Sequence, residues 1–166
     1  MIDVKIILKE GAKMPIRGTE LSAGWDVCAN LANLPRGLCG IDEEGVKYIE
    51  LRPNERKLFS TGVSIELPKS IWAGVYSKSG LALKHGIIVL NAPGVIDADY
   101  TGDIGVILHN TGHCAYKIKH GDRIARLIFS VHENPNFVQA IALTATDRGE
   151  AGFGSTGVSV QTTHQP

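Results

Sequence analysis

Two acids one residue apart, Asp97 and Asp99, stand inside an otherwise apolar, turn-rich stretch, NAPGVIDADYTG, residues 91–102. A carboxylate between Ile96 and Ala98 could be held partly out of water, which raises its proton affinity and suits it to general-base work. Asp99 need not share that role. The same residues also fit a solvated turn of a hairpin, with Tyr100 a plain strand aromatic, and on composition alone the turn reading is the stronger. A second stretch, RGEAGFGSTG at 148–157, holds Arg148, a forked donor suited to phosphate. Its glycines, Gly149, Gly152, Gly154 and Gly157, let backbone N–H groups approach an anion closely. Ser155 and Thr156 add hydroxyl donors, and Phe153 offers a ring face for stacking on a flat base. A disordered tail is the alternative. The single aromatic and the Arg at its head favour a flap over a phosphorylated, ring-containing ligand.

Three further stretches are weaker one by one. In YSKSGLALKHG (76–86), Lys78 and Ser79 precede a possible helix start, where backbone N–H groups favour an anion. An ordinary capped helix with an exposed Lys explains them as well. In SAGWDV (22–27), Asp26 could hold Mg²⁺ through water, because Mg²⁺ keeps much of its hydration shell. It could equally be a turn carboxylate. GDRIARLIF (121–129) carries Arg123 and Arg126 on a strand, where salt bridging at a sheet edge is the ordinary explanation. His109, His113 and His120 lie close together in sequence, but no pair has the helical spacing of a metal-binding motif.

The elements that must position these residues are mostly strands. Val4, Ile6 and Leu8 recur at period two. Runs rich in β-formers follow at 46–51, 57–66, 71–77, 86–90, 104–109, 114–118, 123–131 and 137–143, with Gly, Pro, Asn and Asp between them. A short helix is expected over 79–86, with a Ser at its start and a Gly after its last turn. Many short strands and little helix indicate a sandwich, jelly roll or barrel. Residues 30–47, with three glycines and a proline, read as a surface loop. The domain is expected to span 1–147, followed by a flexible Gly-rich arm and tail at 148–166.

The chain has 166 residues and 43% hydrophobic content, enough for one domain that buries roughly 70% of its unfolded surface. Lys plus Arg and Asp plus Glu each number 17, so the formal net charge is zero. That lacks the basic footprint of a duplex nucleic-acid binder. Three cysteines without metal-type spacing argue against a disulfide framework or a zinc site and suit an intracellular protein. No apolar run is long enough to span a membrane.

In order and spacing the five stretches resemble the five motifs of the trimeric dUTP pyrophosphatases (dUTPases), over nearly the whole chain. The resemblance implies an all-β jelly-roll barrel with one short helix, assembled as a homotrimer with active sites shared between subunits and closed by the arm of a neighbour. It implies hydrolysis of dUTP to dUMP and pyrophosphate with Mg²⁺ on the phosphates. Position by position it makes Asp97 the general base and Asp99 structural. It places the uracil at Asn91, Val95 and Ile96 and the sugar on Tyr100. The phosphates fall to Lys78, Ser79, Gly80, Arg126 and Arg148, with Gly154, Ser155 and Thr156 of the arm, and Phe153 stacks on the base. Asp26 would hold Mg²⁺ through water. Three departures stand out: Lys78 where the family usually has Arg, Arg126 where it usually has Gln, and Ala151 where a Gly is common. A dCTP deaminase shares the fold but needs a catalytic Glu in the strand after residue 102. Ile107 stands at that place, and residues 104–110 contain no Glu. A non-catalytic nucleotide-binding or regulatory protein is the third reading. Binding of an unknown protein partner could coexist with catalysis.

Overall fold

Where apolar and polar residues alternate the chain extends, and where Gly, Pro, Asn and Asp cluster it turns. A computed structural model of the chain describes residues 2–153. Its strands are β1 (Lys5–Leu8), β2 (Ile16–Arg17), β3 (Trp25–Cys28), β4 (Gly40–Ile41), β5 (Lys47–Leu51), β6 (Arg56–Ser60), β7 (Val63–Glu66), β8 (Ile71–Tyr76), β9 (Ile87–Val89), β10 (Gly94–Ile96), β11 (Gly105–Asn110), β12 (Tyr116–Lys119) and β13 (Arg123–Val131). One helix, α1 (Ser79–His85), and a 3₁₀ turn at Arg36–Leu38 complete the list among the described residues. The expected all-β jelly-roll class with a single short helix is the one the chain adopts.

The strands form sheets of order β10-β8-β13-β3-β2, β6-β11-β9, β12-β5-β4 and β1-β7, all with antiparallel neighbours. Their inward residues, among them Val27, Leu51, Phe59, Ile87, Ile104, Leu108, Ile118 and Leu127, are buried in one core. Each such side chain stabilises the fold by about 1.5–3 kcal/mol relative to leaving it in water.

Four expectations are corrected in detail. The run 57–66 is two strands, because Thr61 turns its hydroxyl inward to donate to the Ile104 carbonyl at 2.8 Å and so breaks the ladder. Residues 30–47 are mostly surface loop, as expected, but carry one short addition to a sheet. There β4 pairs with β5, Asp42 Oδ1 accepts the Glu44 and Val46 N–H groups, and Lys47 Nζ donates to the Ala32 and Leu34 carbonyls. In α1 the N-cap is Lys78, with Ser79 the first helical residue, while Gly86 closes the helix as expected. The run 137–143 forms no strand, and Phe137, Val138, Ile141 and Leu143 are exposed. Its alternation lacks a partner strand within the described residues.

The stretch 91–104 is not a simple hairpin. β9 pairs with β11 (Val89 with Leu108), but β10, between them in sequence, pairs with β8 in another sheet. The chain also divides into two units, residues 1–133 and 134–166, a boundary upstream of the arm expected at 148.

His120, just after β12, accepts the Leu31 N–H through Nδ1 at 3.1 Å, which requires that nitrogen to be unprotonated. Burial, with Lys13 and Lys47 nearby, holds its pKa below the ordinary value. The unfolded chain therefore takes up this proton first, and the contribution to stability is full above about pH 6.5 and declines as the pH falls from there toward the folded value. Urea unfolding should show a loss of about 1 kcal/mol on going from pH 7.5 to 5. His120→Gln, which keeps an acceptor and has no proton to gain, should lack that component.

Candidate active site

Register assembles the first group of residues. Arg126 on β13 lies opposite Asp26 on β3 and opposite Tyr76 on β8, so the chain just past Tyr76 arrives beside both. Asp26 is buried, 2% exposed. Its Oδ2 accepts from Lys78 Nζ at 2.5 Å and more weakly from Arg123 Nη1 at 3.4 Å, and its Oδ1 accepts from Arg126 Nε at 3.2 Å. Residues 123 and 126 would face opposite sides of a regular strand. A register shift between Arg123 and Ala125 turns both to the same carboxylate. Burial alone would push the Asp26 carboxyl up. The hydrogen bonds and charges of Lys78 and Arg126 outweigh it and hold the group below the usual carboxylate range.

Gly24 makes room for this arrangement. A Cβ there would sit 2.3 Å from Arg126 Cγ and 2.4 Å from Cδ, so the Arg stem lies directly on the glycine. Arg126 remains partly exposed, and its guanidinium carries donors beyond the Nε that bonds Asp26. Ser77 Oγ accepts the Val89 N–H at 2.8 Å and ties the segment before Lys78 to β9. Ser79 and Gly80 are exposed, and a Cβ on Gly80 would meet nothing within 4 Å. With Leu81, Tyr116, Ile118, Asp122 and Ile124, Lys78 and Arg123 line a cavity of about 250 Å³.

The second group is Asn91, Val95, Ile96, Asp97 and Tyr100. Ile96 is buried, and Val95, Asp97 and Tyr100 are exposed. The partial burial expected for Asp97 is absent within the chain: β10 ends at Ile96, so residue 97 leaves the sheet. Asn91 packs its side chain against Gly94, where a Cβ would lie 3.1 Å from Nδ2. Tyr100 donates its hydroxyl to the Asp103 carbonyl at 2.8 Å and lies on Gly102, where a Cβ would come within 2.7 Å of that hydroxyl. Asp97 lines a cavity of about 300 Å³ with Trp72, Val95, Ala98 and His132. Trp72 and His132 carry no sequence signal of that role.

Asp97 and Lys78 stay apart within one chain. Ile96 pairs with Ala73, which puts Asp97 level with Trp72, six residues before Lys78. At about 3.3 Å per extended residue that is roughly 20 Å. Arg148 and Phe153 belong to the second unit, where the Gly149 N–H donates to the Thr146 carbonyl at 3.0 Å and Phe153 is fully exposed. Gly154, Ser155 and Thr156 lie outside the described residues. Among the described residues no group of three or more His, Cys, Asp or Glu side chains could hold a metal ion, and no helix is long and apolar enough to cross a membrane.

A family model described as dUTPase matches residues 35–157. The chain belongs to the dUTPase family. It is 45% identical over 152 residues to a deoxyuridine 5'-triphosphate nucleotidohydrolase of Treponema denticola, covering 92% of this chain and 96% of that one. To the protein of the same name from Clostridium novyi it is 48% identical over 122 residues, covering 74% and 86%. In fold it is similar to the Staphylococcus bacteriophage 80alpha dUTPase, with a TM-score of 0.80 at 24% identity, covering 95% of this chain and 100% of that one.

Within this dUTPase-family chain, Asp26→Asn should leave three cations facing a neutral amide. Breaking a buried ion pair typically costs about 3–5 kcal/mol, and the low end applies because the cations reach solvent. Since the Asp26 carboxyl is held low, its contribution to stability is present above the ordinary carboxylate range and is lost as the pH falls through the folded value. Urea unfolding at neutral pH should show the variant about 3 kcal/mol less stable, with the gap from wild type closing in acid.

Proposed function

We infer that the chain hydrolyses dUTP to dUMP and pyrophosphate. The observation that carries this reading is the match to a deoxyuridine 5'-triphosphate nucleotidohydrolase over 92% of the chain, a span that takes in every candidate stretch from Asp26 to Asp97 and Arg126. In this reading Asp97 removes a proton from water attacking in line at the α-phosphorus. The bond to the bridging oxygen breaks and pyrophosphate leaves. A general base must come within about 3 Å of that proton. Exposure on a loop beyond the last residue of β10 suits Asp97 to a nucleotide delivered from outside the chain.

Uracil is read by Asn91 and by the backbone around Val95 and Ile96. β10 is the outer strand of its sheet, and an outer strand offers N–H and C=O groups to a ligand edge. Cytosine would leave those groups wrongly paired, and the thymine methyl meets a closely fitted wall. Tyr100 covers the sugar and leaves no room for a 2′-hydroxyl. Lys78, Ser79, Gly80 and Arg126 take the phosphates. The arm from residue 148 adds Arg148, Gly154, Ser155 and Thr156 to the phosphates and Phe153 to the face of the base. The distance of roughly 20 Å between Asp97 and Lys78 supports sites built from more than one copy, in a homotrimer that takes its base from one chain and its cations from another.

Mg²⁺ fits this arrangement as a passenger of the triphosphate. The described residues build no metal cage, and Mg²⁺ is commonly held by one or two carboxylates plus substrate phosphates. Asp26 is the carboxylate that would hold its waters once phosphate oxygens compete for Lys78 and Arg126. When bound, the ion would neutralise charge on the leaving pyrophosphate. A mutant of the dUTPase from phage phi11 of S. aureus is described with a structural Mg(II) ion.

Asp97→Asn should fold and bind nucleotide while losing about 10²–10⁴-fold in kcat, the usual effect of removing a positioned base. Pyrophosphate release from dUTP at the wild-type rate would remove Asp97 from the mechanism. Co-refolding this variant with Lys78→Ala should restore activity that neither has alone, because mixed assemblies regain sites with an intact base and an intact cation cluster. No recovery in mixed assemblies would place both groups in one chain.

Lys78 and Arg126 share one carboxylate, so their effects should not add. Arg126→Gln leaves Asp26 with the point charge of Lys78 and the weaker contact of Arg123, and Lys78→Arg in that background restores a close fork. The double-mutant cycle in kcat/KM should show a coupling of about 1–3 kcal/mol. Effects that add within about 0.5 kcal/mol would show two independent contacts.

A further inference from the structure

The chain between Ile96 and Gly105 passes from one sheet to another with no ladder of its own among the described residues, yet it carries Asp97 and Tyr100. Freely jointed residues lose conformational entropy when a ligand fixes them, and a misplacement of about 1 Å at a reacting group can cost 10²-fold in rate. Something must hold this crossing still. The hydrogen bonds converge on Asp103, which lies just beyond the stretch that resembles the third motif.

Both oxygens of the Asp103 carboxylate are anchored to the body of the fold. Oδ2 accepts from Ser60 Oγ at 2.6 Å and from Lys9 Nζ at 3.1 Å, and Oδ1 accepts the Gly62 N–H at 2.9 Å. The next residue continues the attachment, as the Ile104 N–H donates to the Val63 carbonyl at 2.8 Å. On its other side Asp103 carries the candidate residues. Its carbonyl accepts the Tyr100 hydroxyl at 2.8 Å, and the Tyr100 N–H donates to the Asp97 carbonyl at 3.1 Å. A continuous set of hydrogen bonds thus runs from the bend between β6 and β7, through the Asp103 side chain and carbonyl, to Tyr100 and then Asp97. The Lys9 contact is the outermost, with the Lys side chain 59% exposed, and exposed ion pairs contribute little. The neutral donors from Ser60 and Gly62 are the contacts that matter.

We propose that Asp103 is a positioning residue for dUTP hydrolysis, fixing Tyr100 and Asp97 against the β6–β7 bend. The inference rests on the reading that Asp97 is the base and Tyr100 the sugar platform. Asp103 touches no substrate and acts through Tyr100.

The test measures kcat and KM for dUTP and hydrogen exchange at the amides of residues 97–102, in full-length Asp103→Ala, Asp103→Asn, Tyr100→Phe, the Asp103→Ala/Tyr100→Phe double variant and Asp97→Asn. Asp103→Ala should lower kcat about 10- to 100-fold, with KM changing less, and should speed exchange at 97–102 without a matching change at β13. Asp103→Asn retains an oxygen for the Gly62 N–H and should recover most of the rate, while unchanged exchange at β13 in Asp103→Ala separates positioning from a general loss of folding. The double variant should be little worse than Asp103→Ala alone, since both changes cut the same hydrogen-bonded path. If Asp97→Asn is inactive while Asp103→Ala keeps wild-type kcat and wild-type exchange at 97–102, the positioning role is wrong. Wild-type activity in Asp97→Asn would instead sink the base assignment, a separate failure. Should Asp103→Ala not fold, Ser60→Ala removes the 2.6 Å donor to Asp103 and the Gly62 N–H contact to Ser60 Oγ at 3.1 Å, while leaving Asp103 and its Gly62 contact in place. Slower turnover and faster exchange in that variant support the role, and wild-type values overturn it.

Discussion

One buried carboxylate organises the candidate phosphate site. Asp26 lies at the crossing of β3, β13 and the segment after β8, with cations on both of its oxygens. A lone charge in that position would be strongly disfavoured, and Lys78, Arg123 and Arg126 would repel one another without it. Each side makes the other tolerable. Three cations against one carboxylate leave an excess of positive charge at one end of the sheet, in a chain whose formal net charge is zero. A polyanion approaching a neutral protein is drawn to such a local excess. Of the three departures read from the resemblance, two, Lys78 and Arg126, are direct partners of Asp26, while Ala151 is not among them. Those two read as one change in how the site is wired rather than as two separate ones.

The other half of the site depends on a topological detour. β9 and β11 are neighbours, and the residues between them leave that sheet, add β10 to the edge of another and return. The detour presents Asn91, Val95 and Asp97 outward while Ile96 fastens it to the core. The same detour leaves Asp97 exposed, because the residue that follows β10 has already left the sheet.

Much of the fold was legible, because strands leave a local signature. β5, β8, β11 and β13 fall within a residue or two of the runs read from alternation and β-forming residues. What stayed hidden is what alternation does not encode. It says nothing of partners, so the split of β9, β10 and β11 between two sheets could not be read from it, and 137–143 looks like a strand although no described strand receives it. The 30–47 segment looked loose from its glycines and proline, yet its order comes from Lys47 and Asp42 reaching backbone atoms of nearby residues. Within the candidate site, residue types and order pointed to Asp26, Lys78, Asp97 and Arg126. That three of these meet follows only from the β3–β13–β8 register and the shift near Arg123. Ser77 and Asp103 gave no signal, since a Ser or an Asp beside a glycine is ordinary turn chemistry until its partner is known.

The contact between Gly24 and Arg126 reaches beyond packing. The stem of Arg126 occupies the volume that any side chain at 24 would fill, with the Leu127 carbonyl a further 3.0 Å neighbour. A side chain at 24 would have to displace the Arg126 stem from its place beside Asp26, so the reach of one cation to the buried carboxylate is set by a residue that carries no charge.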